Sequence, residues 1–170
     1  MLVKSIVLVG PMGVGKSTIG RLLASSLRRD FYDTDKLIED RAGADISWIF
    51  DIEGEQGFRQ RENNTLSELC QQDDLVIATG GGIVVREDNR KLLNKYGRVV
   101  YLTASISQLV RRTDKDKKRP LLQVDDPKQK IIELLESRDP LYREVADLVI
   151  ETDGKTPKQV ADSLAEQLQS

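Results

Sequence analysis

Gly10-Pro11-Met12-Gly13-Val14-Gly15-Lys16-Ser17 is the stretch from which the rest of the chain can be read. It fits G-x-x-x-x-G-K-[ST], in which backbone N–H groups cradle phosphates, the lysine reaches the terminal ones and the serine hydroxyl binds Mg²⁺. The pattern counts only between a strand and a helix, and both flanks qualify. Leu2 to Val9 is an apolar run that reads as a first strand, and Thr18 to Leu27 has helical spacing. Phosphate would then sit on a helix N-terminus, where unpaired N–H donors and the positive end of the helix dipole meet. A glycine-rich turn without a ligand accounts for neither Lys16 nor Ser17. The expected ligand is a nucleoside triphosphate with Mg²⁺, held by Gly13, Val14, Gly15, Lys16, Ser17 and Thr18.

The base-reading signature of GTPases is incomplete. Asn94-Lys95-Tyr96-Gly97 lacks the carboxylate of Asn-Lys-x-Asp, and Asp51-Ile52-Glu53-Gly54 matches Asp-x-x-Gly but follows a helical segment. ATP is therefore the expected nucleotide. No strand ends in the apolar run plus Asp that motor and transporter ATPases use for Mg²⁺, so the carboxylate for the metal has to come from elsewhere.

The 170 residues suit one domain spanning 1–170, long enough to bury a core without disulfides. Twenty-six Lys plus Arg against 28 Asp plus Glu leave a formal charge of −2, so no global field draws the chain to nucleic acid or to a membrane. The apolar start is too short for a signal-peptide core with its cleavage site. Cys70 is the only cysteine, which excludes an internal disulfide and a cysteine zinc site and fits a reducing cytoplasm. It reads as a small buried hydrophobe. The absence of histidine rules out Ser-His-Asp and Cys-His catalysis and leaves proton transfer to carboxylates, Lys or Tyr.

Beyond the loop, apolar β-branched runs alternate with helical spacing. Phe31 to Asp33 is a strand, about Asp35 to Leu69 helical, Leu75 to Thr79 a strand, about Glu87 to Tyr96 a helix, and Val99 to Leu102 a strand before a helix that Ser105 can cap. Such alternation predicts an α/β chain with a parallel sheet covered on both faces. Asp114 to Asp126 has little periodicity and reads as a flap before a helix with Pro127 in its first turn. The chain closes with a strand over Asp147–Ile150, a turn at Asp153-Gly154 and a helix begun by Thr156-Pro157.

Asp33 and Asp35, at spacing two after the second strand, would share a face in an extended segment, at the edge where open α/β sheets bind ligands. The alternative is that Thr34 or Asp35 only caps the next helix. Thr79-Gly80-Gly81-Gly82 suggests a backbone that must approach a ligand closely. Arg59 could do no more than pair with Glu62 at i,i+3, Arg138 has an equally plain reading, and Lys115 to Pro120 reads as a solvated loop too short and mixed in sign for nucleic acid.

Taken together, Gly10–Thr18, Phe31–Asp35, Asp51–Glu62, Ala78–Gly82, the flap Lys117–Leu122 and Arg138–Tyr142, in this order and at these spacings, resemble the shikimate kinase family from Ser5 to about Gln167. The resemblance implies a three-layer α/β/α P-loop NTPase fold, with a five-stranded parallel sheet in the order 2-3-1-4-5, a substrate-binding helical region about 34–62 and a mobile lid about 112–126. It implies ATP-dependent phosphorylation of the 3-hydroxyl of shikimate, on the way to chorismate and aromatic amino acids, by a cytoplasmic monomer. Lys16 would contact the transferring phosphate, Ser17 would ligate Mg²⁺, Asp33 would hold the metal through water, and Asp35 would accept the hydroxyl proton. Arg59 and Arg138, near the N–H groups of Gly80, Gly81 and Gly82, would hold the shikimate carboxylate, with Glu62 orienting Arg59 and with Phe50 and Phe58 beside the ring. Arg119 would swing onto the phosphates, Arg112 would pack on the adenine, and Lys155 would lie on the other side of the base. The rival readings are a kinase for another small hydroxy acid such as gluconate, and an ATP-binding switch without chemistry on an acceptor.

Overall fold

The computed structural model describes residues 4–114, 122 and 124–169. Five short strands form one parallel sheet in the order β2-β3-β1-β4-β5. They are β1 (Ser5–Val9), β2 (Asp30–Asp33), β3 (Leu75–Ala78), β4 (Gly97–Thr103) and β5 (Leu148–Glu151), with seven helices between and after them among the described residues. All four pairings are parallel. The order is the one the family resemblance implies.

The alternation of side chains along β1 sets up the layers. Ile6 and Leu8 face a core shared with helix α1 (Lys16–Leu27), α5 (Ile106–Thr113) and α7 (Pro157–Gln169). Val7 and Val9 face the opposite core, built with α3 (Ile46–Leu69), α4 (Glu87–Tyr96) and α6 (Pro127–Val145). Every residue of β1 is buried, as a central strand covered on both faces requires. The result is a three-layer α/β/α sandwich with the phosphate loop at the C-terminal end of its middle strand. No described helix is long and apolar enough to cross a membrane.

The local signals account for the starts of three helices. Ser105 Oγ accepts from Gln108 N–H, Asp126 caps α6 with Pro127 in the first turn, and Thr156 and Gln159 exchange bonds as a capping box at the start of α7. The helical region read from about Asp35 to Leu69 is broken twice. Gly43, in the left-handed region, ends α2 (Thr34–Ala42), and Gly54, at φ 75°, interrupts α3. The breaks fold the segment into a corner in which Ile38, Ile49 and Phe58 form a separate small core, with Phe50 packed against it. Of the flap expected over 112–126, Arg112 and Thr113 belong to α5, Leu122 is buried, and Asp126 is the cap of α6. Residues 115–121 and 123 lie outside the described residues, and Arg119 is among them.

Candidate active site

The phosphate loop holds the geometry its composition asks for. Gly13 and Gly15 have φ of 87° and 104°, Val14 is buried beneath the loop, and no side chain caps α1, whose first turn starts at Lys16. The N–H groups of that turn therefore lie at an end suited to an anion. Lys16, 8% exposed, donates from Nζ to the carbonyls of Gly10 and Pro11, so its charge rests over the loop. Arg112 reaches the loop from α5 and donates to the Val14 carbonyl at 2.8 Å. That contact gives it a supporting role in the loop which the sequence did not suggest.

Asp33 does two things at once. One oxygen accepts from the N–H groups of Asp35 (3.0 Å) and Lys36 (3.2 Å), and the other accepts from the hydroxyl of Ser17. The N-cap of α2 is thus Asp33, and neither Thr34 nor Asp35. The extended geometry expected for both aspartates also ends at Asp33, because its side chain satisfies the first helical N–H groups and lets the chain turn at once. Asp35 sits in the first turn of α2 and still faces the site.

The glycine run is shaped by the site's own side chains. A Cβ on Gly80 would lie 2.6 Å from Asp35 Oδ1, and one on Gly82 would lie 2.5 Å from Cζ and Nη2 of Arg59. The N–H of Gly80 donates to Thr34 Oγ1 at 3.1 Å. Of the three N–H groups expected to face a ligand, that one is committed within the protein.

Two clefts converge here. The first, of about 280 Å³, is lined by Phe50, Phe58, Arg59, Glu62, Arg138 and the glycine run among others. The second, of about 400 Å³, is lined by Gly13, Gly15, Lys16, Ser17, Thr18 and Arg112. Ser17, Asp33, Asp35, Gly80 and Gly81 line both. Lys155 lines neither, whereas Pro157 from the same stretch lines the second.

Three charges of the first cleft, Arg59, Glu62 and Arg138, lie in the core. Arg59 and Arg138 are each 7% exposed and Glu62 is fully buried. Arg59 donates to Glu62 Oε1 at 3.0 Å, so the i,i+3 pair is no surface contact. Burial pushes the Glu62 carboxyl up to about 7, against the pull of Arg59 and with a further push from Asp35. Burial likewise holds the Arg138 guanidinium below its ordinary value, with Tyr142 countering. A cleft with two buried guanidinium forks suits a small carboxylate.

A family model described as shikimate kinase matches residues 12–169. The chain belongs to the shikimate kinase family. A shikimate kinase from Pseudomonas paraeruginosa is 57% identical over 164 residues, covering 96% of this chain and 95% of its own. Among solved structures, a shikimate kinase from Acinetobacter baumannii in complex with shikimate has a TM-score of 0.96 and 48% identity, covering 98% of this chain and 93% of its own. A gluconokinase from Sinorhizobium meliloti, with a TM-score of 0.59, is 18% identical and covers 98% of this chain and 95% of its own, a likeness of fold alone.

The donors for a metal fit the family's use of ATP. A hydroxyl and a carboxylate, Ser17 and Asp33, are in contact beside the phosphate loop, and hard oxygens of this kind suit Mg²⁺ when phosphates complete its shell. Among the described residues no group of three or more His, Cys, Asp or Glu could hold a metal unaided. Two site residues escaped the sequence. Thr34, fully buried, reaches Gly80 across 46 residues of chain, for which no local signal exists. Tyr142 could have been found from its place four residues after Arg138 in the same helix.

Proposed function

We propose that the chain transfers the γ-phosphate of Mg·ATP to the 3-hydroxyl of shikimate, giving shikimate 3-phosphate and ADP. The observation that carries this reading is the convergence of the two clefts on Ser17, Asp33 and Asp35, with a phosphate loop on one side and two buried arginines on the other. Lys16 and the N–H groups of the loop would hold the phosphates, and Ser17, with Asp33 through water, would hold Mg²⁺. When bound, the metal neutralises charge on the phosphates. Asp35, on the wall common to both clefts, would accept the proton of the attacking hydroxyl. Arg59 and Arg138 would take the acceptor carboxylate, with Glu62 setting the fork of Arg59.

Phosphoryl transfer proceeds through a loose transition state, so positioning and charge neutralisation account for most of the rate. A cytoplasmic monomer belongs to the same reading; the lone Cys70 supports the reducing compartment, and light scattering tests the oligomeric state. ADP release from Mg·ATP in a coupled assay, with and without shikimate and with gluconate and quinate as controls, tests the reaction. Stimulation by shikimate alone is expected. Stimulation by gluconate instead would move the assignment to another hydroxy-acid kinase, and stimulation by none would leave only the nucleotide site.

A further inference from the structure

Arg138 and Tyr142 lie four residues apart on α6, so that one side chain sits above the other on the same face. Pro140, between them, has no N–H to give to the helix, yet α6 runs on to Val145 and keeps the two in register. The Tyr142 ring is 1% exposed and packs on that of Tyr101 in β4, centroids 4.8 Å apart and tilted by 33°. The Tyr101 hydroxyl in turn donates to Asp139 Oδ1 at 2.7 Å, which fixes the lower ring. A buried phenol needs partners for both its proton and its oxygen. Tyr142 gives its proton to the carbonyl of Gly81 at 2.5 Å, and the positive charge of Arg138, one turn earlier on the helix, bears on its oxygen. Burial raises that phenol to about 12, so it keeps its proton throughout the neutral range and can hold the Gly81 carbonyl. Gly81 closes the triangle, since a Cβ there would stand 3.6 Å from Arg138 Nη1.

We propose that Tyr142 is a positioning residue for the acceptor: a single hydroxyl ties the glycine run to α6, the helix that carries Arg138, and so sets the run and the Arg138 fork against each other where the acceptor's carboxylate would lie. The proposal rests on the acceptor reading given above. A guanidinium on a flexible stem loses rotamer freedom when it takes up a planar ligand, and a seat fixed beforehand, here the run at Gly81, removes part of that loss from the binding step. The run itself has a second anchor on its other side, Thr34 at Gly80. Loss of the Tyr142 hydroxyl therefore leaves the run anchored at Thr34 and removes its tie to the helix of Arg138.

Tyr142→Phe keeps the ring and its packing on Tyr101 and removes only the hydroxyl. The KM for shikimate is expected to rise about tenfold, the upper range for one hydrogen bond, with kcat and the KM for ATP within about twofold. In an Arg138→Lys background the same change should alter the shikimate KM by less than about twofold, because the group it acts through has gone. An unchanged shikimate KM in Tyr142→Phe, equal losses for both substrates, or a full tenfold loss on top of Arg138→Lys would each overturn the proposal. If the variant unfolds alone, shikimate Kd is measured by calorimetry in saturating Mg·ADP, which stabilises the folded state by mass action, with the same expectations. Wild-type protein that releases no ADP in response to shikimate, while Tyr142→Phe binds Mg·ADP normally, would overturn the functional reading and this proposal with it.

Discussion

The two sides of the site recognise anions by opposite means. On the nucleotide side eight consecutive residues, Gly10 to Ser17, supply a bend of backbone and the open end of α1, with Lys16 as the one buried charge. On the acceptor side α2, α3, α6 and the run after β3 each send in a part, and Arg59, Glu62 and Arg138 are installed in the core. Backbone dipoles at a helix end need no removal of a full charge from water. Buried guanidinium and carboxylate groups do, and the chain bears that cost on folding, before any ligand arrives. A phosphate shared by many partners is thus held by cheap and general means, and a particular small acid by costly and particular ones. Lesions on the acceptor side should therefore affect the acceptor and leave the nucleotide bound.

The sharpest way to break that division is Asp35→Asn. It should lower kcat about 10³-fold, the scale of a lost general base, and leave Mg·ATP Kd by calorimetry within about twofold. Near-normal turnover would remove Asp35 from the proposed role, and lost nucleotide binding would erase the boundary between the two sides.

Next in size is the folding cost of the buried carboxyl. Glu62 is raised to about 7 from an ordinary 4.5, so between these values the folded chain holds a proton that the unfolded chain has released. Its contribution is complete below the unfolded value and is lost as pH climbs through the folded one, on the order of 3 kcal/mol in all. Urea unfolding of wild type and Glu62→Gln at pH 5 and pH 8 should show the difference between them moving in favour of the glutamine variant at the higher pH. A difference independent of pH would mean that the carboxyl carries no such burden.

Gly82→Ala puts a methyl group where the Arg59 guanidinium lies. Displacing that fork should weaken shikimate binding about twentyfold by calorimetry, with ATP binding unmoved. The smallest effect belongs to the other side: Arg112→Ala removes one donor from the carbonyl of Val14 and should raise the KM for ATP about threefold, with that for shikimate unchanged. A reversal of these last two selectivities would show that the two sides are not separate.

The same division explains what was legible in the sequence. The phosphate loop could be read because its chemistry lies in neighbouring residues, and α4 falls on Glu87–Tyr96 as its spacing predicts. Arg59, Glu62 and Arg138 carried plain readings until the family resemblance grouped them, because an i,i+3 pair looks the same on a surface and in a core. Depth is decided by what lies above it, here Gly82, which gives Arg59 its seat from 23 positions away in the chain. The capping role of Asp33 was misplaced by one or two residues for a related reason: a carboxylate before a helix can serve the helix or a ligand, and only coordinates reveal that it divides its oxygens between them.

That division of oxygens makes Asp33 a joint. One oxygen belongs to the frame of the acceptor corner and the other to the hydroxyl that would meet the metal, so the spacing between the two is the width of a single carboxylate. Asparagine could retain the helix and forfeit the metal; glutamate could retain the charge, but its extra methylene would carry both oxygens away from partners that cannot follow together. The tolerance of the site at this position is set by one side chain and the two partners it joins.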